Sequence, residues 1–126
     1  MAGKKYTTKK AKNLKMNDEV YSLRRKVMEL IYEFKTIVEI PRVTVRIIEE
    51  TGNILGLGSM DERICVWIPQ GVANAPKDHL REIVYHEIGH AVFKLKHDEK
   101  CPLMSSSTKW NGMTKAQCSE IVKNWE

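Results

Sequence analysis

The chain of 126 residues predicts an α+β fold, and three observations carry that prediction. Apolar residues recur at three- and four-residue steps between Asp18 and Val38, as on a helix with one buried face. Between Val43 and Ile47 they alternate instead with Thr44 and Arg46, the period of a half-buried strand. Helical spacing then returns between Leu80 and Leu95 and again after Thr114.

Each element follows from its residues. In the first helix Val20, Leu23, Val27, Leu30, Ile31 and Phe34 form the apolar stripe, with Lys, Arg and Glu between them. Pro41 closes the connection to the first strand. Thr51-Gly52-Asn53 is a turn signal, Ile54 to Gly58 a short glycine-bearing strand, and Ile64 to Ile68 a third strand closed by Pro69. A small mixed β-sheet with an edge strand is therefore expected. Asn74-Ala75-Pro76-Lys77-Asp78 reads as a helix start, with a capping side chain and an early proline. That helix is expected to reach Leu95, with Leu80, Val84, Ile88, Ala91, Val92 and Leu95 as its stripe. An irregular stretch from Lys96 to Gly112 follows. The last helix begins near Thr114, where Thr114 and Gln117 have capping-box spacing, and Ile121, Val122 and Trp125 give it a packing face.

Composition narrows the function classes. The length suits one domain, expected over residues 18–126. An apolar content of 42% and a charged content of 29% are ordinary for a globular protein. There is no run of about 18 apolar residues and no apolar stretch of the signal-peptide kind near the N-terminus, so a cytoplasmic location is expected; a monomer is expected as well. Cys65, Cys101 and Cys118 form no C-x-x-C pair and read as free thiols, mostly buried. The net charge of +5 is uneven: residues 1–17 hold six lysines and no acid, leaving 15 basic and 16 acidic groups elsewhere. The segment 1–17 is expected to be a disordered basic tail. A nucleic-acid contact through it is not favoured, because the aromatic interleaving of a single-strand binder is missing.

His86-Glu87-Ile88-Gly89-His90 carries the chemistry. On a helix, residues four apart stand about 40° apart in azimuth, so His86 and His90 share a face and can share one Zn²⁺. Glu87 is turned aside, where it can take a proton from an activated water. A catalytic zinc needs a third protein ligand. His97, just past the expected helix end, is the first candidate; Glu120 on the last helix, Asp98 and Cys101 are the alternatives. His79, nearly two turns before His86, reads as a surface residue.

The run from His86 to Val92, followed by His97 and then Pro102-Leu103-Met104, resembles the metzincin zinc peptidases, most nearly the matrixin branch. That family carries H-E-x-x-H-x-x-G-x-x-H and then a methionine turn beneath the metal. The resemblance follows element order over residues 18–126, but its specific motifs span only residues 86–104. Phe93 stands where the family has glycine, and the interval to the third histidine is one residue longer. The resemblance implies a compact zincin-like domain and a zinc metalloendopeptidase acting on protein or peptide substrates. It implies Glu87 as the catalytic base and acid, His86, His90 and His97 as metal ligands, and Met104 as the turn methionine. Leu55, Gly56, Leu57 and Gly58 become the candidate edge strand that pairs with an extended substrate, a hairpin strand being the other reading. Ser105 to Gly112 lies where the family shapes its specificity pocket. In gluzincin peptidases a glutamate on a later helix is the third ligand, which keeps Glu120 open. A zinc-binding module without activity, and a nucleic-acid-tethered protease, are the further alternatives.

Overall fold

Helix α1 runs from Asp18 to Lys35 and begins where Asn17 caps it, its side-chain oxygen accepting the Val20 N–H at 2.9 Å. The computed structural model to which it belongs describes residues 17–48, 64–106 and 110–125. The lysine tail and the candidate edge strand Leu55, Gly56, Leu57 and Gly58 lie outside the described residues. Six α1 side chains are buried: Val20, Leu23, Val27, Leu30, Ile31 and Phe34, the apolar stripe expected from the sequence. The helix ends three residues earlier than Val38, as the Thr36 hydroxyl donates to the Glu33 carbonyl at 2.6 Å.

Strands β1 (Thr44–Ile48) and β2 (Cys65–Pro69) pair in parallel, with Val45 opposite Val66 and Ile47 opposite Ile68. Those four side chains join the main core under the helices, whereas Ile48, Cys65 and Trp67 form a second buried cluster. Arg24 ties α1 to the sheet by donating to the Val45 carbonyl at 2.6 Å. Helix α2 spans Lys77–Ala91 and helix α3 spans Lys115–Val122. With two short 3-10 turns, Gln70–Val72 and Lys123–Trp125, the described residues make an α+β arrangement of three α-helices and one two-stranded sheet. No helix among them is long and apolar enough to cross a membrane.

Two expectations about α2 are corrected. Pro76, not Asn74, occupies the cap position, and no side chain caps the helix; the Pro76 carbonyl accepts the Leu80 N–H at 2.9 Å instead. The helix also ends at Ala91, four residues before Leu95. At α3 the capping box forms, with Thr114 accepting from the Gln117 N–H and the Gln117 side chain accepting from the Thr114 N–H. Cys118 and Val122 are its buried residues, while Ile121 and Trp125 pack from the margin. The three cysteines are free thiols, and burial pushes that of Cys118 up to about 11.

An ionic joint fixes α2 against α1. Arg81 is buried yet charged; it donates to Glu33 at 2.7 and 3.1 Å and to Asp78 at 2.5 Å. Tyr85 adds its hydroxyl to the same Glu33 carboxylate at 2.5 Å, and its ring meets Phe34 edge-on at 4.9 Å. Burial alone pushes the Glu33 carboxyl up, but hydrogen bonds from Arg81 and Tyr85 and the Arg81 charge outweigh it and hold the group below 4.5.

A group with a lowered folded pKa stabilises the fold above its unfolded pKa, and that contribution fades as pH falls through the folded value. Arg81→Ala is expected to cost about 3–5 kcal/mol near neutral pH, the penalty for leaving one partner of a buried pair. Glu33→Gln should flatten the acid side of the stability curve below about pH 4.5. Denaturant unfolding across that range checks both, and an acid limb equal to that of the unaltered protein contradicts the role given to Glu33.

Candidate metal centre

The site starts from the face of α2 that turns away from the core. His86 and His90, one turn apart, bring their Nε2 atoms to 3.0 Å of each other, with the rings edge-on. Their Nδ1 atoms point at backbone carbonyls: Leu103 for His86 at 2.6 Å and Leu95 for His90 at 2.7 Å. A carbonyl only accepts, so Nδ1 carries the hydrogen in each ring and Nε2 carries a lone pair. Two lone pairs aimed together at that spacing repel unless a cation or proton lies between them. Two imidazole nitrogens on one tetrahedral zinc stand about 3.3 Å apart, from Zn–N lengths of about 2.0–2.1 Å. Burial pushes both His86 and His90 below the ordinary 6.5, which favours the neutral form a metal requires.

The chain leaves the helix in a manner that the residue pattern conceals. The Val92 N–H still reaches the Ile88 carbonyl at 2.8 Å, but Lys94 turns left-handed, with φ of 58°, and the Leu95 N–H returns to the Gly89 carbonyl at 3.0 Å. Lys94 thus takes the left-handed conformation that glycine most readily adopts just past a helix end. Phe93 packs inward, its ring 6.1 Å from that of Phe34 and 5.7 Å from that of Trp125. The reversal places the Leu95 carbonyl on His90 and returns His97 to the pair, its ring centroid 5.3 Å from His86 and 4.8 Å from His90.

Each of the three histidines can offer one nitrogen such that all three atoms lie within 4.8 Å of one another, a group able to hold a metal ion. The other ligand candidates lie outside this group. Glu120 is exposed and pairs with Lys123 at 3.4 Å, and Asp98 accepts the Lys100 N–H at 3.0 Å. Cys101 donates its backbone N–H to the Asp98 carbonyl inside the same turn. Glu87 follows His86 by one residue, half-buried, and burial pushes its carboxyl up to about 7.

A tight turn supports the histidines from below. The Asp98 N–H donates to the Met104 carbonyl at 2.8 Å, and the Met104 N–H donates to the Cys101 carbonyl at 3.1 Å. Met104 is buried against Gly89, where a Cβ would meet its Sδ at 2.6 Å and the Trp125 ring at 3.2 Å. A side chain at residue 89 would therefore make the end of the Met104 side chain shift. Glu99 closes the outside of the turn, accepting from the Ser105 hydroxyl and from both the N–H and hydroxyl of Ser106. Those hydrogen bonds, the strongest from Ser106, hold its carboxyl below 4.5.

One buried carboxylate beside the site is not evident from the residue pattern. Glu82, one turn before His86, is buried and receives the Met113 N–H at 2.8 Å and two N–H groups of Asn111. Its spacing of four residues from His86 is the one sequence signal that places it beside the site. His79 is not a simple surface residue, because Trp110 stacks on it at 5.5 Å and 14°. Compared with known proteins, the chain matches no family model, no curated protein and no solved structure.

The left-handed residue offers a direct check of the path to His97. Relative to Lys94, glycine there should raise folding stability by about 0.5–1 kcal/mol, and valine should lower it by about 1–2 kcal/mol. Equal unfolding midpoints for Lys94→Gly and Lys94→Val contradict this path.

Proposed function

We propose that the chain is a zinc-dependent metalloendopeptidase that hydrolyses peptide bonds. The observation that carries the reading is the grouping of His86, His90 and His97 with two Nε2 lone pairs fixed inward, beside Glu87. Three imidazoles without a thiolate in the group suit zinc, and three protein ligands are the number that leaves a catalytic position open. Zinc, when bound, supplies Lewis acidity that brings the pKa of a coordinated water toward about 7 and polarises a substrate carbonyl.

The protein's own part is positioning and proton transfer. Leu103 and Leu95 hold the His86 and His90 rings in the tautomer that presents Nε2. Glu87 takes the proton of the attacking water and passes it to the leaving amine, so the carboxylate is regenerated each cycle. Such a shuttle works best with a pKa near the working pH. Burial raises Glu87 to about 7, and a neighbouring cation lowers it toward the carboxylate form that the first transfer needs. The substrate class is protein or peptide, met in extended form.

The experiment pairs metal content with cleavage of a denatured casein substrate. The unaltered protein is expected to carry one zinc, to lose cleavage on chelation and to regain it with Zn²⁺. Glu87→Ala should keep the zinc and lose at least about a hundredfold in rate, the usual worth of a general base. Cleavage by Glu87→Ala at the unaltered rate would falsify the proposal.

A further inference from the structure

Glu82 on α2 and the turn that orients His86 are joined by one exposed side chain, that of Asn111. Glu82 is buried, 6% exposed, and accepts at Oε1 from the Asn111 backbone N–H at 3.0 Å and from Asn111 Nδ2 at 3.1 Å. The same Nδ2 donates to the Pro102 carbonyl at 3.0 Å. Both amide hydrogens are thereby used, one on a carboxylate of the metal helix and one on the turn. The next carbonyl along, that of Leu103, takes the His86 Nδ1–H at 2.6 Å. The circuit is closed: Glu82, Asn111, Pro102, Leu103, His86, and back through one turn of helix to Glu82.

We infer that Asn111 is a positioning residue of the metal centre, acting through the Leu103 carbonyl. The inference rests on the reading that His86, His90 and His97 hold the metal. The proline ring fixes φ at residue 102, and the hydrogen bond from Asn111 to the Pro102 carbonyl restrains ψ there. With both angles restrained, Leu103 enters the turn in a set direction and its carbonyl faces His86 Nδ1. Such outer partners of a ligating histidine set its ring orientation and its basicity.

The residue type follows from the same contacts. Two acceptors face the Asn111 side chain, so aspartate, with no hydrogen to give, would set two carboxylates against each other. Gly112, left-handed at φ of 71°, then turns the chain so that the Met113 N–H also reaches Glu82. The loop before α3 is thus fastened at two backbone points that no change of the Asn111 side chain removes. Removing the Asn111 amide subtracts the bridge to Pro102 and leaves the loop attached.

The test measures Zn²⁺ release to a chromogenic chelator, the visible spectrum of the Co²⁺-loaded protein, and the thermal midpoint of the metal-free protein. Asn111→Ala is expected to release Zn²⁺ about tenfold faster, at the lower end of the effects of outer-sphere substitutions. It should shift the Co²⁺ bands and leave the metal-free midpoint unchanged; Asn111→Asp should speed release and shift the bands further. Release and spectra equal to those of the unaltered protein overturn the inference. So does a fall in the metal-free midpoint of Asn111→Ala matching that of its loaded form, because the side chain then only braces the loop. His97→Ala separates the underlying reading: full stoichiometry and an unaltered Co²⁺ spectrum in that variant remove His97 from the ligand set and overturn the three-histidine reading, whatever Asn111 does.

Discussion

Two hydrogen bonds from imidazole Nδ1 atoms to backbone carbonyls, His86 to Leu103 and His90 to Leu95, set the course of the chain from residue 91 to residue 104. Each fixes a tautomer, and together they aim two lone pairs at one point 3.0 Å across. To supply the first carbonyl, the turn from Asp98 to Met104 must lie under the helix. To supply the second, the chain must reverse within four residues of Ala91, which it does at Lys94. His97 arrives at the pair as a consequence of that reversal. The ligand geometry and the backbone path are therefore one constraint.

The rest of the fold holds α2 still while this happens. Its inner face packs Leu80, Val84, Tyr85 and Ile88 against α1 and the sheet, and Arg81 locks it to Glu33. At Gly89 the Met104 side chain and the Trp125 ring come close to the helix, so that a Cβ there would make Met104 shift. Core, ionic joint and turn act on three sides of one helix. A site that must hold nitrogen positions to within a few tenths of an ångström needs such support, because rotamer freedom in an unsupported histidine exceeds that tolerance.

Much of this was legible in the residues, for reasons particular to each. The α1 stripe reads directly because all six of its apolar positions face the core, and the capping box at Thr114 reads because both of its contacts are local in sequence. The pairing of His86 with His90 follows from helical spacing alone. The helix end does not read, because left-handed Lys94 carries no residue signal and Phe93 continues the apolar pattern past Ala91 while packing against Phe34. Glu33, Arg81 and Glu82 escape because a charged residue on a helix reads as solvated. Arg81 has a local partner in Asp78, but its partner on α1, Glu33, lies 48 residues away, and those of Glu82 lie 29 or more away. Pro76 in place of Asn74 at the α2 cap shows the same limit, since a proline at the cap leaves the initial N–H groups to be judged only in three dimensions.

The proposed site has three imidazoles holding one metal ion through nitrogens whose availability is set by the backbone. Imidazole ¹⁵N chemical shifts, followed while Zn²⁺ is added to the labelled protein, read that arrangement at the nitrogens themselves. His86 and His90 are expected to hold hydrogen on Nδ1 throughout, their Nε2 resonances to move on metal binding together with one nitrogen of His97, and all changes to end at one equivalent. Rings that keep titrating with pH after zinc is added, or that bind through Nδ1 at His86 or His90, would contradict that arrangement.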